Sequence, residues 1–86
     1  MRVQNMESKN GNKVANQFII YHEGARYFQS YETIIAKQEK GVTTLDEEMW
    51  DCTKTTGKYR NQFLGEGIAI TRAKIESGEY KLANLN

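Results

Sequence analysis

Between Thr53 and Asn86 the chain gives its order of elements almost residue by residue. Thr53, Thr55 and Thr56 are hydroxyl residues of the kind that cap a helix start. Gly57 to Leu64 follows with Tyr59 and Phe63 four apart, on one helical face. Glu66-Gly67 breaks the run. Ile68 to Ser77 then has Ile68, Arg72 and Ile75 on one side and Ile70 nearly opposite, and Ser77-Gly78 stops it. Tyr80 to Leu85 alternates at period two and predicts a closing strand at a sheet edge. This order requires helices packed on a sheet.

The sheet comes from the first half. Gln17–His22 and Arg26–Ser30 are β-branched and aromatic runs separated by Glu23-Gly24, a tight-turn pair. Thr33–Gln38 forms a third strand, joined through Tyr31-Glu32, a link without glycine or proline that fits a bulge or a bend. Lys40-Gly41 turns the chain into Val42–Leu45. Thr44-Leu45-Asp46-Glu47 has the Thr-x-x-Glu form of a capping box, with Asp46 a second possible cap, and predicts a short helix with Met49 and Trp50 inward. The fold class is α+β: a three- to four-stranded antiparallel meander, two or three short helices on one face, and a C-terminal strand joining the sheet. Residues 1–15, polar and aperiodic, read as a flexible arm dispensable for folding, before a single domain over 16–86. Trp50 and Phe63 are expected in the core. Val42–Leu45 or the last strand offers an edge for homodimerisation, so the chain is expected to be a monomer or a homodimer.

Composition excludes more than it identifies. Eighty-six residues with one cysteine, Cys52, and one histidine, His22, support neither a disulfide framework nor a metal site. No apolar run is long enough for a membrane helix, and no signal-peptide core precedes Ala15, so a cytoplasmic protein without membrane contact is expected. The net charge of +1 conceals −4 over residues 42–52 and +3 over 53–86. Asp46, Glu47, Glu48 and Asp51 suit a helix start. No phosphate-binding loop or nucleophile motif is present. The chain is therefore read as a non-enzyme without a cofactor.

The sharper candidate is basic and aromatic: Lys58, Tyr59 and Arg60, with Arg72 and Lys74 on the next helix and Lys54 nearby. A helix N-terminus at Thr55-Thr56-Gly57 with cations just inside it is a cradle for a phosphate or carboxylate. The same residues serve a capped helix with a solvated outer face. Cations in a first helical turn oppose the macrodipole, which favours an anionic partner. Lys58 and Arg60 are expected to be exposed.

Tyr27-Phe28-Gln29-Ser30-Tyr31, Thr33-Ile34-Ile35-Ala36, Leu45-Asp46, Trp50-Asp51, Thr55-Thr56-x-Lys58-Tyr59-x-Asn61-x-Phe63-Leu64-Gly65 and Ile75–Tyr80 together resemble a family of small bacteriophage and mobile-element proteins built on a domain of unknown function. The resemblance covers Phe18 to Asn86. Cys52 and Lys54 depart from the Tyr and Ser common before the Thr-Thr pair. The resemblance implies a phage-encoded accessory protein in the cytoplasm of a bacterial host. Such a protein would bind a host protein or nucleoprotein complex, for example as a defence-system inhibitor such as an anti-CRISPR protein. A small nucleic-acid-binding domain is the alternative.

Overall fold

Two glycine turns set the register of the sheet. In the computed structural model, which describes residues 1–86, Glu23 and Gly24 have φ of 50° and 80°, and Lys40 and Gly41 have 51° and 78°. Two successive left-handed residues make the hairpin turn whose twist matches the strands it joins. The Glu23-Gly24 turn links β2 (Lys13–His22) to β3 (Ala25–Ser30), and the Lys40-Gly41 turn links β4 (Thr33–Glu39) to β5 (Val42–Asp46). Tyr31-Glu32 is also a hairpin turn, with Tyr31 at φ 56° and Ser30 opposite Thr33. The expected irregularity lies beside it, as a bulge that leaves Ile35 unpaired in β4.

The sheet has six strands in the order β1-β2-β3-β4-β5-β6, a five-stranded antiparallel meander where three or four strands are expected, and the C-terminal strand beside it. All neighbours are antiparallel except β5 and β6 (Lys81–Ala83), which are parallel. A parallel pair needs a crossover, and α1 (Lys54–Leu64) and α2 (Ile68–Ser77) supply it. The last strand joins at the edge, as its alternation predicts. Of the expected edge Val42–Leu45, β6 covers Thr44 and Leu45 on the side away from β4 and leaves only Val42 and Thr43.

Residues 1–15 form β1 (Arg2–Glu7) and the start of β2, where an arm is expected. β1 pairs with Phe18–Tyr21 and buries Met6 in the core. Its polar sequence hides this, since an edge strand with one wet face needs few apolar residues and gains its order from its neighbour.

Ile19, Phe28, Ala36 and Leu45 stand opposite one another in a row across β2 to β5. The bulge adds Ile35, so Ile35 and Ala36 are both fully buried. Helix α1 lays Tyr59 and Phe63 on this row, with the Phe63 ring stacked on Phe28 at 5.8 Å. Ile75 and Tyr80 close the core from beyond α1. Arg26 holds the end of α1. Its guanidinium lies over the Phe63 ring and donates to the Phe63 carbonyl at 2.9 Å, supplying the cation that the last turn of α1 lacks.

Residues 47–51 form turns, not the expected helix. Asp46 nevertheless caps them: Oδ2 accepts from the backbone of Glu48 and Met49. Oδ1 accepts from the Leu85 backbone and the Asn86 side chain. The segment makes a single backbone bond of helical spacing, from the Trp50 N–H to the Asp46 carbonyl, before Thr53 caps a new helix. Burial raises the Asp46 carboxyl pKa, but these four hydrogen bonds outweigh it and hold the group below its ordinary value of 3.8.

Two outcomes follow. Deleting residues 1–15 removes Met6 and Val14 from the core and will lower stability by at least about 3 kcal/mol in urea unfolding; an unchanged midpoint would show that β1 contributes no packing. As pH falls through the acid range, the unfolded chain protonates Asp46 before the folded chain does, so stability will fall. The Asp46→Asn variant will be less stable at neutral pH and show a shallower acid slope.

Candidate functional site

Helix α1 begins where Thr53 Oγ1 accepts from the Thr56 N–H at 3.1 Å. The Gly57 N–H reaches the Thr53 carbonyl. The N–H groups of Lys54 and Thr55 stay free for solvent or a ligand. Helix α2 begins at Gly67, which offers no side-chain cap. Neither helix has an acid in its first turn. The first turns of both helices border one open cleft of about 610 Å³. Lys54, Lys58, Arg60 and Arg72 line it, against the single carboxylate of Asp51. Cys52 is exposed at its rim.

The expected site residues fall into four environments. Lys58 and Arg72 are exposed and face the cleft. Arg60 also lines the cleft, but its side chain is only 2% exposed, so the expectation of a solvated Arg60 is corrected. It donates to the Trp50 carbonyl at 2.7 Å, to Asn61 Oδ1 at 3.1 Å and to Asp51 Oδ1 at 3.4 Å. A planar fork of donors suits this better than an ammonium would, because three acceptors are met from one rigid group. Tyr59, one residue before it, is turned into the core. Four positions span more than one helical turn, so Tyr59 and Phe63 share the inward face while Lys58 points out.

Lys74 belongs to another cluster. Its ammonium lies 2.8 Å from Glu66, which also accepts from the Tyr80 and Thr71 hydroxyls. The hydrogen bond it donates to Glu66 raises the Lys74 pKa. Burial raises the Glu66 pKa, and the bonds from Lys74, Thr71 and Tyr80 more than offset it. Burial and then the Glu66 carboxylate raise the Tyr80 hydroxyl. The four groups staple α2 to the chain before β6; Lys74 does not line the cleft.

Trp50 joins the two halves of the site. It is half-buried where a core position is expected, and its ring lies 5.3 Å from the Arg60 guanidinium and 5.7 Å from that of Arg72. Asp51 bridges the same pair, reaching Arg72 at 2.9 Å. Phe63 is core, as expected. The sequence gives no sign of the Trp50–Arg60 contact, since it joins a turn to the middle of a helix. Lys54, set beside the basic group from sequence, is confirmed as a neighbour of Lys58 in the cleft.

A family model of unknown function, DUF8033, matches residues 1–80. The chain belongs to this family. The match takes in β1, which lies outside the resemblance read from Phe18 onward, and agrees with that resemblance in pointing to a domain of unknown function. No curated protein and no solved structure matches the chain.

The site yields a contrast testable by thermal and urea unfolding. Arg60→Gln will destabilise the fold by about 2–4 kcal/mol, because it strands buried acceptors. Lys58→Gln will change stability by less than about 0.5 kcal/mol. Gly57→Ala will stabilise by up to about 1 kcal/mol, the usual gain in a helix interior. Its added Cβ would lie 3.6 Å from Arg60, an ordinary contact. Equal effects at positions 58 and 60 would overturn the assignment of Arg60 to the framework.

Proposed function

We propose that this protein is a non-enzymatic interaction module that docks an acidic segment of a partner protein in the cleft between the first turns of α1 and α2. One observation carries the reading: two helices with no acidic residue in their first turns border a cleft where four cations face one carboxylate. Each helix end favours an anion, and each exposed cation there is better placed with one than without. Asp51 already satisfies Arg60 and part of Arg72, so Lys54 and Lys58 are the cations left for a partner. The contact set thus becomes Lys54, Lys58 and Arg72, with Tyr59, Arg60 and Lys74 as supports.

An acidic protein segment suits the cleft better than a nucleic-acid backbone. The basic area is short, and exposed Glu47 and Glu48 lie in the turn leading to it. A phosphate track running past them would meet like charge. In the form suggested by the phage-protein resemblance, the partner is a host protein or nucleoprotein complex whose activity the module modulates, as a defence-system inhibitor would.

Trp50 is the single tryptophan of the chain and lies against Arg72, so its fluorescence reports on the cleft. An acidic peptide will change that fluorescence, and the affinity will fall with added salt. The Lys54→Gln/Lys58→Gln variant will bind at least about tenfold more weakly, a loss of 1.4 kcal/mol or more. Unaltered binding by the double variant would remove the cleft from the function. Binding of a single-stranded oligonucleotide in preference to the peptide would replace the reading with nucleic-acid recognition.

A further inference from the structure

The two edges of the sheet are treated differently. On the β6 side the strand is only three residues long. Beyond it the Asn86 side chain donates to the Ile34 carbonyl at 3.0 Å and accepts from the Ile34 N–H at 2.8 Å, closing the stretch of β4 that β5 does not reach. The Ile34 backbone groups on that side are thus met from within the chain. On the other side β1 runs six residues, and no element lies beyond it. Between Arg2 and Glu7 stand only Val3, Gln4, Asn5 and Met6, with no proline, glycine or lysine. An edge of this kind is a template for another strand, because one row of its N–H and C=O groups has no partner.

We infer that β1 pairs antiparallel with β1 of a second copy of this chain about a two-fold axis through Gln4, joining the two sheets into one.

The strand is self-complementary in this arrangement. Arg2 and Glu7 lie at opposite ends of β1, and neither has an ion-pair partner within the chain. Antiparallel pairing brings the Arg2 end of each copy to the Glu7 end of the other, whereas parallel pairing would set like charges together. Gln4 meets its own counterpart, and a carboxamide carries both a donor and an acceptor for an identical group. Val3, 51% exposed, lies across from Asn5 of the second copy and continues the row that Val3 forms with Ile20 and Tyr27. The bulge between Asn5 and Glu7 confines the flat part of the edge to Arg2–Asn5. The ladder is therefore short, and the assembly closes at two copies, since each spends its one long edge and keeps a blunted one. A groove of about 540 Å³ runs along Val3–Glu7 between β1 and Gln62 of α1, and the added strand supplies its missing wall. This surface is separate from the cleft and does not depend on the function proposed for it.

Sedimentation of the full chain tests the inference. The expected mass at high micromolar concentration is twice 9.9 kDa, and Val3→Lys returns it to one copy while circular dichroism shows the fold retained. In a Cys52→Ser background, Gln4→Cys will form a covalent dimer on mild oxidation, and Glu76→Cys on the outer face of α2 will not. Cross-strand neighbours lie within reach of a disulfide, so this measurement does not depend on the strength of association. A single-copy mass up to about 1 mM, where even weak pairs with a Kd of that order associate, would overturn the inference. So would a dimer that Val3→Lys leaves intact and Gln4→Cys fails to trap.

Discussion

A buried carboxylate organises this fold. Asp46 ends β5, the last strand reached by hairpins, and the chain must leave the sheet there, build two helices and return beside the same strand. Its two oxygens accept four hydrogen bonds, two from the departing turn and two from the returning tail. The parallel pairing of β5 with β6 is held at this point, where only three residue pairs form the ladder. Without the carboxylate both segments would lose the one acceptor that ties them together. No cation neutralises it. Backbone and amide dipoles stabilise the charge, which is why its pKa is depressed although burial acts in the opposite direction.

The helical layer uses a second device of the same type. Only four residues of α1 are buried, and two of them, Thr56 and Arg60, are polar. Thr56 meets Ser30 of β3 through a 2.9 Å hydroxyl pair, while Arg60 gathers the Trp50 carbonyl, Asp51 and Asn61. In a small domain, polar contacts of this kind fix the helix in one orientation where the apolar area alone is modest. They also explain the cleft. Using Arg60 to anchor the turn at Trp50 brings the first turns of α1 and α2 together, and their uncapped N–H groups and outward lysines share one surface.

Strand and turn chemistry was readable in the chain wherever it is local. Glu23-Gly24 and Lys40-Gly41 need left-handed backbone, and glycine makes that cheap. Thr53 and Gly78 mark helix ends as expected, while α1 ends at Gly65, just before the expected Glu66-Gly67 break. Two local signals misled. The Thr-x-x-Glu pattern at Thr44 looks like a capping box, yet Thr44 remains in a strand and Asp46 caps turns that stop after one hydrogen-bonded loop. The polar start of the chain looks like an arm, yet its backbone finds β2.

What the sequence determined by itself is the α+β class, the four central strands, the two helices with their caps, and a basic group opening the first of them. These follow from spacing and turn residues within a few positions of one another. Tertiary structure alone decided that β1 exists, that β6 lies parallel to β5, that Asp46 serves the tail as well as the turn, and that of two neighbouring cations Lys58 is free and Arg60 enclosed. Each of these rests on groups distant in sequence, and the hydrogen bonds that settle them form only once the chain has brought those groups together.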